Sequence, residues 1–396
     1  YTPTHRGKSF SNGGIVRIMR DFTLTKSFLL GISGLLLLVA CGGSQKISVN
    51  TATTTSSPPV PSSTTSSVVE VTTSTEAVVV TTTTIDPEEW IGPKHPLTGL
   101  PALEGVVPRP ALAVKIGNND VNSLPHEGLA EADIVYEALI EAGKTRFLGI
   151  YQSSLPERIA PVRSARSTDI SLIGNLSNPH FAYWGSNEGV GVEVEEAERS
   201  GTFVRQSAEI NSSGAFSRDS SRGNSPYDGV LNPAYLIGDV PTAAPIAIFD
   251  YGALPLTAVS TFGLRWQTDG RVVEYLWDHQ SSKWKRFQDG SPMIDSNGVQ
   301  LESENIVLLY VDYSRSNADP NSPQAQSTGS GDGWLLRNGK IVGITWDRQF
   351  EALKWSFYDD DTGESVNLDY GRTWFILAQL GEASLLTPVE AAVLTG

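Results

Sequence analysis

Between Thr51 and Thr84, 20 of 34 residues are Ser or Thr. A run of that kind cannot bury enough apolar surface to offset the entropy lost on ordering it. Pro58, Pro59 and Pro61 interrupt it, and Glu70 and Glu76 are its only charges. The valines at 68–69 and 78–80 have strand propensity, but no alternating partner accompanies them. The tract therefore divides the chain: the folded body is expected after it, from about residue 86, and a separate short element before it. Read as a coil, a tether over 42–85 spans roughly 35–40 Å at 5–6 Å × √n. Ser/Thr-rich stalks that contain proline are also acceptors for O-glycosylation.

Ahead of the tract, residues 27–40 read SFLLGISGLLLLVA, preceded by Arg20 and Lys26 and followed by Cys41-Gly42. These 14 uncharged residues, at 1.5 Å each, fall short of a ~30 Å hydrocarbon core. That is the length of a secretory signal's apolar region. Met19 opens the positive stretch, so 19–41 is the expected leader and 1–18 is expected to be upstream sequence read from a misplaced start. The end of the run, Leu38-Val39-Ala40-Cys41-Gly42, resembles a bacterial lipobox. That resemblance implies that the Cys41 thiol receives diacylglycerol and that Cys41 becomes the new N-terminus. Two acyl chains, at ~0.8 kcal/mol per buried CH₂, anchor stably where one does not. The rival reading, Cys41 as a small buried hydrophobe in a core helix, leaves the charge order and the length of the run unexplained. The expected location is extracytoplasmic, on the outer face of the bacterial cell membrane, with the membrane as partner through Cys41.

Lys and Arg number 29 against 44 Asp and Glu in 396 residues. The first forty residues carry five of the basic and one of the acidic groups, which leaves 24 and 43, a charge of −19. Duplex binding depends on Lys and Arg neutralising phosphates, so no nucleic-acid partner is expected. A single cysteine excludes intrachain disulfides and Cys-ligated zinc or Fe–S centres. His95, His126, His180 and His279 fit neither H-x-x-x-H nor H-E-x-x-H, so neither a metal nor a cofactor is expected. Asp359-Asp360-Asp361-Thr362-Gly363-Glu364 offers oxygen ligands but lacks the distal Glu of a calcium loop, and reads as a hairpin turn.

The length suggests two folded parts. In the first, 86–255, strands are expected at 111–116 (ALAVKI), 132–140 (ADIVYEALI), 146–152 (RFLGIYQ), 180–184 and 245–250 (PIAIFD), with a helix near 169–176. In the second, 256–396, strands are expected at 271–278, 283–287, 305–311, 339–346, 352–357 and 373–377, separated by the turn signals Asp289-Gly290, Asn297-Gly298, Asn338-Gly339 and Thr362-Gly363. A long polar loop is expected from Asp312 to Asp332, with Gly329 to Gly333 as a flexible turn closing it. The expected fold class is α+β: a mixed α/β first domain followed by a β-rich second one.

Several segments, in order over about 300 residues, resemble the YerB-type lipoproteins, the bacterial family known as domain of unknown function 3048. They are His95 to Gly99 (HPLTG), Arg109 to Asn118 (RPALAVKIGN), Ala132 to Phe147 (ADIVYEALIEAGKTRF) and Pro161 to Arg166 (PVRSAR). Later ones are the Tyr275/Trp277 strand, Asn305-Ile306-Val307, Gly329 to Trp334, Gly339 to Trp346, and Gly371 to Trp374. The resemblance implies a two-part extracytoplasmic lipoprotein and no particular activity. One segment departs from the pattern: where the family carries a His-Asn pair after a proline, this chain reads Pro226-Tyr227-Asp228.

The residues most suited to chemistry are Arg146, Arg163 and Arg166, with Ser164 between the last two. A guanidinium fork matches phosphate or carboxylate, and a helix opening near Ser167 would add free N–H groups. Asp133, Glu137 and Glu141 recur every four residues; they are candidates for acid–base work with the arginines or for structural ion pairs with them. Trp184, beside Gly185-Ser186-Asn187, is a candidate sugar platform. No catalytic residue can be assigned. The leading expectation is a non-enzymatic protein that binds or scaffolds near the cell wall, with a wall polymer or an envelope protein as partner. The alternatives are an enzyme acting on a phosphorylated or glycan envelope substrate through the Arg/carboxylate cluster, and a solute-binding lipoprotein.

Overall fold

The computed structural model describes residues 85–237 and 243–395. The expected segment over 1–18, the leader over 19–41 with Cys41, and all but the last residue of the 42–85 tether lie outside the described residues.

The first stretch contributes β1 (Leu112–Asn118), β2 (Ile134–Leu139), β3 (Thr145–Tyr151), α1 (Ser167–Ile173), β4 (His180–Tyr183), α2 (Glu188–Arg199), β5 (Val204–Ser207), β6 (Phe216–Arg218) and β7 (Gly229–Leu231). The second contributes β8 (Gly263–Gln267), β9 (Val272–Asp278), β10 (Lys283–Gln288), β11 (Asn305–Tyr310), β12 (Tyr313–Arg315), β13 (Pro323–Ala325), β14 (Gly329–Arg337), β15 (Lys340–Arg348), β16 (Ser356–Asp359), β17 (Thr373–Ala378), β18 (Ala383–Leu385) and α3 (Pro388–Thr395). Strands dominate and helices are few and short, so the fold is α+β.

Among the described residues one sheet runs β16-β15-β14-β11-β17-β2-β3-β1-β4-β5. It is built from both stretches. β17 lies parallel to β2 on one side, with Ile134 opposite Thr373, and parallel to β11 on the other. A strand covered on both faces reads as a continuous apolar run, and β1, β2, β3 and β17 are buried at every position. Along β1, Leu112, Val114 and Ile116 pack into the core on one face of the sheet, while Ala113, with Ala111 just before the strand, packs into the other. A second sheet, β10-β9-β8-β18, closes over the first of these cores with Trp266, Tyr275 and Trp284.

Three charges lie inside these apolar runs, Lys115, Glu137 and Arg146, and the first two are paired with an opposite charge. Glu137 of β2 accepts from Arg286 at 2.8 and 3.0 Å, from Thr145 at 2.8 Å and from the Trp374 indole at 3.2 Å. Both partners of the Glu137–Arg286 pair are fully buried. Arg286 belongs to the second sheet, so this pair ties the two sheets together; Asn118 and Gln288 add 2.8 and 3.1 Å amide bonds beside it. Lys115 of β1 reaches Asp169 of α1 at 2.6 Å.

Several expectations are corrected. The 245–250 segment is not a strand: Ile248 and Phe249 are buried, with Phe249 stacked 5.3 Å from Phe375, and the side chains are held without ladder pairing. The strand expected over 352–357 begins at Ser356, because the Leu353 carbonyl is taken by Arg348 and Asn175. Gly329 to Gly333 is no flexible turn; it is the first half of β14, paired along its length with β15. The Asp312–Asp332 loop contains the β12–β13 hairpin and docks on α1, where Thr168 accepts from the Ala325 amide at 3.0 Å and Ser316 meets Ser167 at 2.8 Å.

Candidate functional site

β1 and β4 are parallel and pair only at Leu112–Val114. Beyond Val114 they part, and Pro161-Val162-Arg163 runs between them. Arg163 donates its amide to Lys115 O at 2.9 Å, Gly117 donates to Pro161 O at 2.9 Å, and Trp184 donates to Arg163 O at 3.0 Å. The crevice outside the carboxyl ends of parallel strands is where open sheets place ligands, and Arg163 is carried into it by this insertion. β3 is antiparallel to β1 with Arg146 opposite Gly117, so β3 starts at the same end. Gly117 is needed there: a Cβ at 117 would sit 2.6 Å from Arg163 Cγ.

Arg146, Arg163, Ser164 and Arg166 therefore come together as the sequence suggests. Arg146 is 4% exposed; its Nη1 donates to the Ser164 carbonyl at 3.1 Å and its Nε to Asn119 Oδ1 at 3.3 Å. Arg163 is 9% exposed, its guanidinium lies 5.2 Å from the Tyr227 ring centre, and its buried Nη1 has no partner. Tyr227, the residue that departs from the family pattern, donates to Asp120 at 2.6 Å. Arg166 pairs with Glu141 at 2.9 Å. Among the described residues neither Arg146 nor Arg163 has a carboxylate at ion-pair distance.

The charge balance follows from this. Burial, then the guanidiniums of Arg166 and Arg163, bring Arg146 down to about 9 against the pull of Glu141 and Asp169. Burial lowers Arg163, with Tyr227 opposing and Arg166 adding. Burial also lowers Lys115, opposed by Asp169 and helped by Arg146 and Arg166. Burial alone would raise Glu141; the Ser322 hydroxyl and Arg166 bring it below its ordinary value. Four cations, Lys115, Arg146, Arg163 and Arg166, thus meet two directly paired carboxylates, Asp169 and Glu141. An anion entering here would lower the energy of every cation in the group.

Asp133 and Glu137 do not join the cluster. Glu137 faces the other side of the sheet from Arg146, since its register partner is Phe147 while Arg146 pairs with Ala138. Asp133 sits at the far end of β3, roughly 20 Å away at 3.3 Å per residue, and accepts from the Gln152 and Ser153 amides at 2.6 and 2.8 Å. Of the three carboxylates expected near the arginines, only Glu141 is there. Helix α1 does open at Ser167, but Asp169 fills its start by accepting from the Arg166 amide at 2.8 Å. Trp184 is also committed, with Arg218 4.4 Å from its ring centre and Phe216 edge-on at 6.0 Å. Lys115, Asn119 and Asp120 were missed. A lysine inside the apolar run ALAVKI was the available signal, because a buried ammonium needs a partner; Asn119 and Asp120 carry no pattern of their own.

Two family descriptions match the chain: "Protein of unknown function (DUF3048) N-terminal domain" over residues 97–243 and "Protein of unknown function (DUF3048) C-terminal domain" over 262–375. The arginine cluster falls in the first. The chain is 27% identical over 302 residues to "Putative lipoprotein YerB" of Bacillus subtilis (strain 168), covering 74% of this chain and 88% of that protein. It also resembles the crystal structure of the YerB protein from Bacillus subtilis, with a TM-score of 0.64 and 25% identity, over 74% of this chain and 99% of that one.

Proposed function

This chain belongs to the DUF3048 family, and on that premise we propose that it is a lipid-anchored, non-enzymatic binding protein of the cell envelope, holding a phosphate- or carboxylate-bearing ligand at Arg146, Arg163 and Arg166. The observation that carries the binding reading is the unpartnered, buried Nη1 of Arg163 beside an Arg146 held only by a carbonyl and an amide oxygen. A donor left unsatisfied in that way costs about 1–3 kcal/mol, which an oxyanion recovers on binding. Catalysis is disfavoured because Asp133 and Glu137, the carboxylates an acid–base mechanism would draw on, are engaged elsewhere.

Titration of the whole chain with inorganic phosphate is expected to show one-site binding. Arg163→Ala should weaken it by roughly 10- to 100-fold, the loss of a hydrogen bond to a charged group, with the thermal transition retained. Equal affinity in variant and parent, or no phosphate binding by the parent, removes the anion site and leaves a scaffold role.

The anchor rests on Cys41 and on the likeness to a protein named as a lipoprotein. Cys41→Ser is expected to move nearly all of the protein from the membrane fraction to the soluble fraction of an expressing bacterium. Unchanged partition would place the anchor elsewhere.

A further inference from the structure

Away from the arginine site, the end of β9, the 338–340 turn and α3 enclose a groove of about 620 Å³. That lies within the range of small-molecule sites, which are typically ~300–1,000 Å³. Its walls are mainly apolar, with Phe262, Leu276, Trp277 and Ala392 among them. Among the described residues its titratable lining groups are Lys340 and His279, with no carboxylate side chain, in a chain of net charge −15. Lys340 is exposed and has no carboxylate at ion-pair distance among the described residues.

The polar lining of the groove is pre-set. The Trp277 indole N–H donates to His279 Nδ1 at 3.1 Å, so the neutral imidazole carries its proton on Nε2 and offers a donor there. The same indole packs against the turn: a Cβ at Gly339 would lie 2.8 Å from the indole nitrogen. The lining of this apolar slot thus includes an ammonium and an N–H donor. From α3 the groove takes Pro388, Ala391, Ala392 and Thr395.

We propose that this groove is a second, independent ligand site that takes the hydrocarbon chain of a singly charged anionic amphiphile, with its head at Lys340 and His279. The charge pattern selects an anion, and the concavity suits a chain better than a flat protein face. The proposal does not depend on the arginine site, and its test separates the two.

The whole chain carrying Cys41→Ser, purified without detergent, is titrated with dodecanoate below its micelle concentration. Saturable one-to-one binding is expected. Ala392→Trp, which fills the slot, should weaken it at least tenfold. Lys340→Glu, a change at an exposed residue, should weaken dodecanoate at least threefold and leave dodecanol binding unchanged. Neither substitution should alter the response to inorganic phosphate. Absence of saturable binding, dodecanoate binding indifferent to both substitutions, or a dimer that Ala392→Trp dissociates would each overturn the proposal.

Discussion

Glu137→Ala is expected to destabilise the folded body by about 3–5 kcal/mol, the cost of leaving a buried guanidinium without its counter-charge. Arg286 is fully buried and surrounded by aromatic rings, with Trp374 5.1 Å and Phe147 5.2 Å from its guanidinium carbon. Water cannot replace the carboxylate there. The pair also joins the two sheets, so the loss falls on their contact as well as on one side chain. Domains of ordinary stability have ~5–15 kcal/mol to lose, so the variant should lose a large fraction of its stability and unfold at clearly lower urea. Urea unfolding followed by tryptophan fluorescence measures this. The double variant Glu137→Leu, Arg286→Met should recover most of the loss, because no uncompensated charge remains. A single variant within 1 kcal/mol of the parent would mean that solvent reaches the pair.

Acidification should unfold the protein through His126. The ring is fully buried, donates Nε2–H to the Gly117 carbonyl at 2.7 Å, stands edge-on to Phe147 at 5.3 Å and has no partner at Nδ1. Burial lowers its pKa to about 3, the Gly117 carbonyl opposes this, and Arg286, Arg222 and Arg271 add to it. The folded value lies below the unfolded one, 6.5. The imidazole's contribution is therefore complete above about pH 6.5 and is lost as pH falls towards 3, at up to roughly 1.4 kcal/mol per pH unit. Asp295 beside it works in the opposite sense, because burial raises its carboxyl. His126→Gln isolates the histidine: its stability should fall less steeply than the parent's between pH 6 and pH 4. Parallel curves would show that His126 does not drive the acid transition.

Legible in the sequence were the strands buried on both faces and, between turn signals, the half-exposed strands β9, β10 and β15. ALAVKI, ADIVYEALI and the 373–377 run are dense enough in apolar residues to mark β1, β2 and β17. Helix α2 was missed although Asn187 caps it, accepting from the Val190 amide at 2.8 Å, and although Val190, Val194 and Ala197 make its buried stripe. Its two internal glycines and many glutamates dilute that signal. Segments held by side chains rather than by ladders, such as 245–250 and 352–355, misled in the other direction. The arginine cluster was legible because Arg163 and Arg166 are close in sequence and basic residues are scarce. Which carboxylates join it was not, because an even spacing puts residues on one face only within a strand, and of the three only Glu137 lies in β2, with Asp133 before it and Glu141 in the turn after it. The pairing of β2 with β17 across more than two hundred residues left no local trace.

That pairing sets the order in which the molecule can be completed. A chain that emerges N-terminus first presents β2 with one ladder edge empty until residues 373–378 follow. Until then its donors and acceptors, and the Glu137 side chain awaiting the Trp374 indole, are open to any other extended segment. Nascent molecules stalled or clipped before residue 373 should therefore be sticky intermediates and not shorter working proteins, and helpers that shield bare strand edges would matter most during the last stage of synthesis.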